Sequence, residues 1–184
     1  MNKTRWIIAG VVVVIVLWGF SSYNGFVSLN EQINGQWAQV ETQYQRRLDL
    51  IPNLVSSVQG VMKQEQKVFG DLAEARTRYA GATSVNDKAV AATGVESALS
   101  RLLVVMENYP QLKSSETVQT LMSQLEGTEN RVSVERQRFN EAVRVYDTKV
   151  KTVPSAIIAK IFGFGSRDYF EAATGAEVAP KVNL

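Results

Sequence analysis

Phe26, Leu29, Ile33, Trp37, Val40, Tyr44 and Leu48 recur at intervals of three and four, which places them on one face of a helix continuing out of an apolar stretch upstream. A Trp and a Tyr on such a stripe are core material, because amphipathic helices need large apolar surfaces to pack. Pro52 lacks an amide hydrogen and biases Ile51 away from the helical region. The spacing therefore predicts an end or a kink near Asp49–Ile51, with Asp49 as a cap. A second helix carries Val55, Val58, Met62, Phe69, Leu72 and Tyr79 and stops at the loop AGATSVNDK, residues 80–88. Asp87 is expected to cap a third helix with the stripe Val95, Leu99, Leu102, Met106 and Tyr109, ended by Pro110. A fourth opens at Ser114 or Ser115 followed by Glu116. Its positions Val118, Met122, Leu125, Glu129, Val132, Arg136, Phe139, Val143, Tyr146, Val150 and Val153 alternate spacings of four and three without a slip, a coiled-coil-like register.

Upstream, Trp6–Phe20 (WIIAGVVVVIVLWGF) holds no charge, and with Ser21, Ser22 and Tyr23 it approaches the roughly 17–25 residues of a bilayer-spanning helix. Trp6, Trp18 and Tyr23 stand where interfacial aromatics belong. No A-x-A-like cleavage site follows, so a retained anchor is expected rather than a cleaved signal peptide. Lys3 and Arg5 precede the span and the first basic residue after it is Arg46, which puts residues 1–5 in the cytoplasm and the rest of the chain outside. The expected organisation is a cytoplasmic start at 1–5, an anchor at 6–23, a helical bundle at 24–170 and a loose tail at 171–184. The fold class is all-α: an N-terminal transmembrane helix followed by an up-and-down four-helix bundle with long antiparallel helices.

Composition narrows the chemistry. Neither cysteine nor histidine occurs, which removes disulfides, thiol nucleophiles, and the commonest metal ligand and general base. The formal charge of +2 comes from Lys3 and Arg5, since the other 18 basic residues are matched by 18 acidic ones. A neutral domain lacks the electrostatic footprint that nucleic-acid binding requires. No nucleophile–base pair or phosphate-cradling glycine loop is present, so no catalytic residue and no cofactor is expected.

Two features remain. Arg47 falls three residues after Tyr44 and seven after Val40, on the buried stripe, and Glu129 stands between Leu125 and Val132 in the fourth helix. A charge held there without a partner would be costly, so Arg46 or Arg47 is expected to pair with Glu129 or Glu126. The structural polar core is read as Arg46, Arg47, Asp49, Pro52, Glu126, Glu129 and Asn130. Secondly, SAIIAKIFGFGSRDYF after Pro154 concentrates apolar area around two glycines. With Trp37, its residues Ile157, Ile161, Phe162, Phe164, Tyr169 and Phe170 form the expected oligomer or membrane contact, as a short helix and turn or an interfacial segment.

The motifs QVETQYQRRLDLIPNLVSSVQG, ENYPQLKSSETVQTLMSQLEGTENRV, RFNEAVRVYDTKV and VPSAIIAKIFGF with its YF pair resemble the LemA family of bacteria, in the family's order and spacing. The resemblance implies a membrane helix followed by a four-helix bundle in a membrane-associated protein with no established biochemical activity. It supplies no catalytic residues. The expected function is a non-catalytic scaffold in the bacterial inner membrane, single-pass, with a periplasmic bundle. It would self-associate as a homo-oligomer, contact lipid through its one span, and organise an unidentified membrane or envelope partner. Two alternatives stand beside it: a domain that binds or senses an envelope component, and a carboxylate metal site built from Glu126 and Glu129 with Glu41, Glu65, Glu96 or Glu107.

Overall fold

The computed structural model describes residues 2–170, so the tail expected at 171–184 lies outside the described residues. Every regular element among them is helical: α1 (Asn2–Val58), α2 (Gln66–Gly81), α3 (Val85–Met106), α4 (Pro110–Lys113), α5 (Glu116–Lys151) and α6 (Ser155–Phe162).

α1 corrects one expectation. The anchor and the first amphipathic stripe form a single helix that runs on past Pro52, so of the expected end or kink the end does not occur, and Asp49, expected as a cap, lies mid-helix and accepts from Gln45 Nε2 at 2.9 Å. Proline in a helix interior costs about 3 kcal/mol through the lost amide and the clash with the preceding turn. Yet Ile51, Leu54 and Val58, on the same stripe, are buried almost completely. Each contributes roughly 1.5–3 kcal/mol of apolar burial, so packing carries the helix through. The chain turns only after Val58, whose carbonyl accepts from both the Val61 and Met62 amides at 3.0 Å, and α2 begins at Gln66, later than the sequence suggested.

The α3 start differs by one turn. Ser84, not Asp87, is the cap: its Oγ accepts from the Asp87 amide at 3.0 Å and donates to the Asp87 carboxylate at 2.7 Å. Such a reciprocal pair satisfies an orphan amide at the helix start. α3 stops at Met106, and Pro110 opens the four-residue α4, where its missing amide costs nothing.

The chain divides into two units. The first comprises residues up to Ala38 together with Gln137–Tyr169. Its apolar run is exposed, with Trp6 77% and Leu17 63% accessible, and an 18-residue window of α1 has mean hydropathy 2.1 with only 6% of it buried. That helix is long and apolar enough to cross a membrane. Below it, Phe26 is buried edge-on to Tyr146 at 6.1 Å and stacked on Phe164 at 4.9 Å, and Trp37 meets the Phe139 edge at 5.4 Å. α6 ends at Gly163, whose φ of +76° is the left-handed cap that glycine adopts without strain; the Phe164 amide closes the turn onto the Ala159 carbonyl at 2.9 Å. The following segment is held by Asp147, only 4% exposed, which accepts from Lys151 Nζ at 2.8 Å and from the Arg167 amide at 2.9 Å. The Arg167 guanidinium in turn donates to Asn30 Oδ1 at 2.6 and 3.1 Å.

The second unit comprises Gln39–Arg136 and Phe170. α2 and α3 run antiparallel, with Arg101 facing Asp71 at 3.6 Å away from their short connection. Val85–Met106 also passes a hydropathy test for a span, but Val95, Leu99 and Leu102 are wholly buried, so it is a core helix.

Candidate functional site

The interior of the second unit is braced by charges. Arg47, on the face α1 shares with Val40, Tyr44 and Leu54, has a side chain 8% exposed, and its Nη1 donates to the Glu129 carboxylate on α5. The same nitrogen stands 4.0 Å from Glu96 Oε1 on α3. Glu96 also accepts from the Tyr44 hydroxyl at 2.8 Å and from Arg136 Nη1 at 3.5 Å. Two guanidiniums thus meet two carboxylates, and the network is neutral. Three helices contribute to it, α1 through Arg47, α3 through Glu96, and α5 through Glu129 and Arg136.

Aromatic rings close the network. The Arg136 guanidinium lies 4.2 Å over the Phe170 ring, Phe170 is parallel to Tyr44 with centroids 6.3 Å apart, and Tyr44 is tilted against Tyr79 at 5.5 Å. A cation over an aromatic face is attracted by the ring's quadrupole. Burial pushes the Tyr44 phenol far above its ordinary range, and the Glu96 charge and hydrogen bond push it further, against a smaller downward pull from Arg136 and Arg47. Burial, and then the Glu41 carboxylate, push Tyr79 up as well. Both phenols stay protonated at physiological pH, and Tyr44 is committed as a donor. Beside the network, Lys88 of α3 pairs with Glu41 of α1.

Next to Arg47 opens a groove of about 740 Å³. Leu99, Leu103 and Met106 of α3, and Val118, Met122 and Leu125 of α5, supply its apolar lining, and Glu107, Glu126 and Glu129 set carboxylates along it against the single guanidinium of Arg47. That guanidinium is already turned to Glu129, so the polar border of the groove is acidic.

The residues singled out in the sequence separate into groups. Arg47 and Glu129 are brought together. Arg46, Asp49, Glu126 and Asn130 are exposed, because one helical step of about 100° turns each away from the buried face; they are not core residues, although Glu126 borders the groove. Pro52 is half-buried within α1. Ile157, Ile161, Phe162 and Tyr169 are exposed and Phe164 half-buried, whereas Phe170 is 4% exposed under Arg136 and so is core, not contact surface. Trp37 is half-buried against Phe139. Glu96 went unnoticed as a network member because it sits one step from the α3 stripe residue Val95. Arg136 was legible, seven residues beyond Glu129 in the same register. Among the described residues no three Asp or Glu side chains gather as a metal-holding group, and Glu96 and Glu129 converge on Arg47.

The LemA family model matches residues 36–184, most of the chain and all of the second unit's helices. The chain belongs to the LemA family. Among curated proteins, this LemA-family chain is 27% identical over 175 residues to magnetosome protein MamQ 2 of Paramagnetospirillum magneticum, and 26% identical over 174 residues to magnetosome protein MamQ of Magnetospirillum gryphiswaldense. The alignments cover 81% and 80% of this chain but 64% of each relative, so the chain spans less than two thirds of their length. None of these names is that of an enzyme. The exposed apolar stretch of α1 is long and apolar enough to cross a membrane.

Proposed function

We propose that this LemA-family chain is a non-catalytic, membrane-anchored interaction protein. A single pass would hold it in the bacterial inner membrane with residues 1–5 cytoplasmic. The remainder would face the periplasm as an up-and-down four-helix bundle that self-associates and gathers a partner. The observation that carries this reading is the open, acidic-bordered apolar groove of the second unit: an amphipathic helix with basic residues beside its apolar face has the complementary chemistry. The polar side chains beside the groove act as braces, with Tyr44 protonated and the arginines paired, which supports a binding role over a chemical one. Anchoring concentrates copies in two dimensions, so weak contacts suffice for self-association. The relatives' designation as magnetosome proteins supports work at a membrane.

In-membrane crosslinking from Met122 and Leu103, followed by mass spectrometry, tests the reading. Crosslinks from both positions to one helical segment, in another copy or in one partner, are expected, and they should fall when Glu107 and Glu126 are both changed to Lys. Crosslinks scattered over unrelated proteins and indifferent to that change would refute it.

A further inference from the structure

α6 packs against α1 where the apolar run ends. Ile158 Cδ1 lies 3.9 Å from the place a Cβ on Gly19 would occupy, and the Phe162 ring meets the edge of Tyr23 at 5.0 Å. Phe164, past the Gly163 turn, lies against both Tyr23 at 5.5 Å and Phe26 at 4.9 Å. The contacts of α6 and of the turn after it therefore fall on residues 19–26, the step from the uncharged stretch ending at Phe20 to the polar residues beginning at Ser21. Trp18 and Tyr23, side chains suited to a bilayer's polar boundary, stand at the same level.

The inner side of this helix is satisfied: Ile158 and Ala159 are buried. Its other side is apolar and open, with Ile157 56%, Ile161 68% and Phe162 55% exposed, contiguous through Gly19 and Tyr23 with the bare apolar surface of α1. Basic groups stand around it: Lys149 Nζ lies 5.0 Å over the Phe26 ring, Lys160 is on α6 itself, and the Arg167 guanidinium donates to Asn30.

We infer that α6 is a lipid-contacting element that lies in the headgroup–acyl boundary of the leaflet through which α1 leaves the membrane, with Ile157, Ile161 and Phe162 turned to the acyl chains and Lys160 to anionic phosphates. An eight-residue helix is too short to hold a bilayer by itself, but α1 already places it there, so only the local gain is needed. Its lipid face is continuous with the surface of the span, and its basic border complements an anionic phospholipid headgroup; both features favour lipid over a second copy of the chain. The inference rests on the anchor reading of α1.

The cysteine-free sequence gives a clean test. Full-length Ile161→Cys, Ile157→Cys, Val13→Cys and Ser123→Cys variants are labelled with a polarity-sensitive fluorophore and reconstituted in vesicles of phosphatidylcholine with phosphatidylglycerol, carrying quenchers at shallow or deep acyl positions. Labels at 157 and 161 should be quenched at least about twofold more by the shallow quencher than the deep one, the label at 13 by the deep one, and the label at 123 by neither. Lys160→Glu should weaken the quenching at 161, and so should removal of phosphatidylglycerol. If the label at 13 escapes quenching, the anchor reading itself fails. If 13 is quenched while 157 and 161 are not, the anchor stands and the α6 inference is overturned. Labels at 161 that quench one another in proportion to protein density, with no effect of lipid quenchers, would assign the face to a second copy.

Discussion

The Arg47 guanidinium donates to the Glu129 carboxylate across 82 positions of sequence, and the two ends of that bond differ in burial: the arginine side chain is 8% exposed, the glutamate 46%. Removing the glutamate leaves Arg47 beside Glu96 and partly reachable by water. Removing the arginine leaves two carboxylates facing each other over an emptied core position. Glu129→Gln is expected to cost about 1 kcal/mol and Arg47→Gln about 2–3 kcal/mol, whereas Arg47→Met with Glu129→Leu should recover most of the loss. Thermal unfolding followed by helical circular dichroism measures all three. Equal melting of the two single variants would show that the burial difference has no energetic weight.

The hydroxyl of Tyr44 gives an alkaline signature. Its folded-state pKa is raised by burial and by Glu96, and that of Tyr79 by burial and Glu41. In the unfolded chain both phenols ionise near pH 10, so their contribution is complete below that value and is lost as pH rises beyond it. Stability should fall above about pH 10 by roughly 1.4 kcal/mol per pH unit for each tyrosine. Tyr44→Phe should flatten that slope without abolishing it, since Tyr79 and Tyr146 are raised by burial too, while costing about 1–2 kcal/mol at neutral pH through the lost bond to Glu96. Denaturant midpoints at pH 8 and 11 give the comparison, and an unchanged slope in the variant would contradict it.

Asp147 governs the segment after α6 from the acid side. Burial alone would raise its carboxyl, but hydrogen bonds from Lys151, the Arg167 amide and Ser166 outweigh that and hold it below the usual carboxylate range. A depressed pKa means stability present above the unfolded value near 4 and lost as pH falls through the folded one. Protection factors of the amides of residues 163–169, taken against the intrinsic exchange rate at each pH, should fall on acidification below about pH 4, and Asp147→Asn should show that lower protection already at pH 6. If the variant exchanges like the parent at pH 6, the carboxylate does not order the segment.

Lys3 and Arg5 are the charges next to the start of the span, and their side sets the orientation. Alkaline phosphatase fused after Leu184 should be active and a cytoplasmic reporter at the same point silent. The opposite pattern would place the helices inside, and moving two lysines to follow Tyr23 should push the topology in that direction.

Sequence periodicity located the helical stripes because Val40, Tyr44, Leu48, Leu125 and Phe139 answer to one physical demand, burial on a common face. Arg47 and Glu129 were visible by contrast, as charges in apolar positions, whereas Arg136 stood in the same register without being singled out for the polar core. Where the sequence misled, a local rule met a stronger distant one: Pro52 would end an isolated helix, yet Ile51, Leu54 and Val58 hold it in a packed one. Glu96 and Phe170 were hidden for another reason. The first gives no register anomaly, and the second follows Gly163 and Gly165, where no helical period fixes the path of the chain.

Phe170 also decides where the protein can be cut. A fragment trimmed to the end of α6, Phe162, would keep every helix among the described residues, yet it would lack the ring that covers Arg136 and flanks Tyr44. The vacated space would admit water beside Glu96 and loosen contacts formed by helices far upstream in the sequence. Any shortened version meant for binding or crystallisation work must therefore keep Phe170, even though residues 163–170 add no helix.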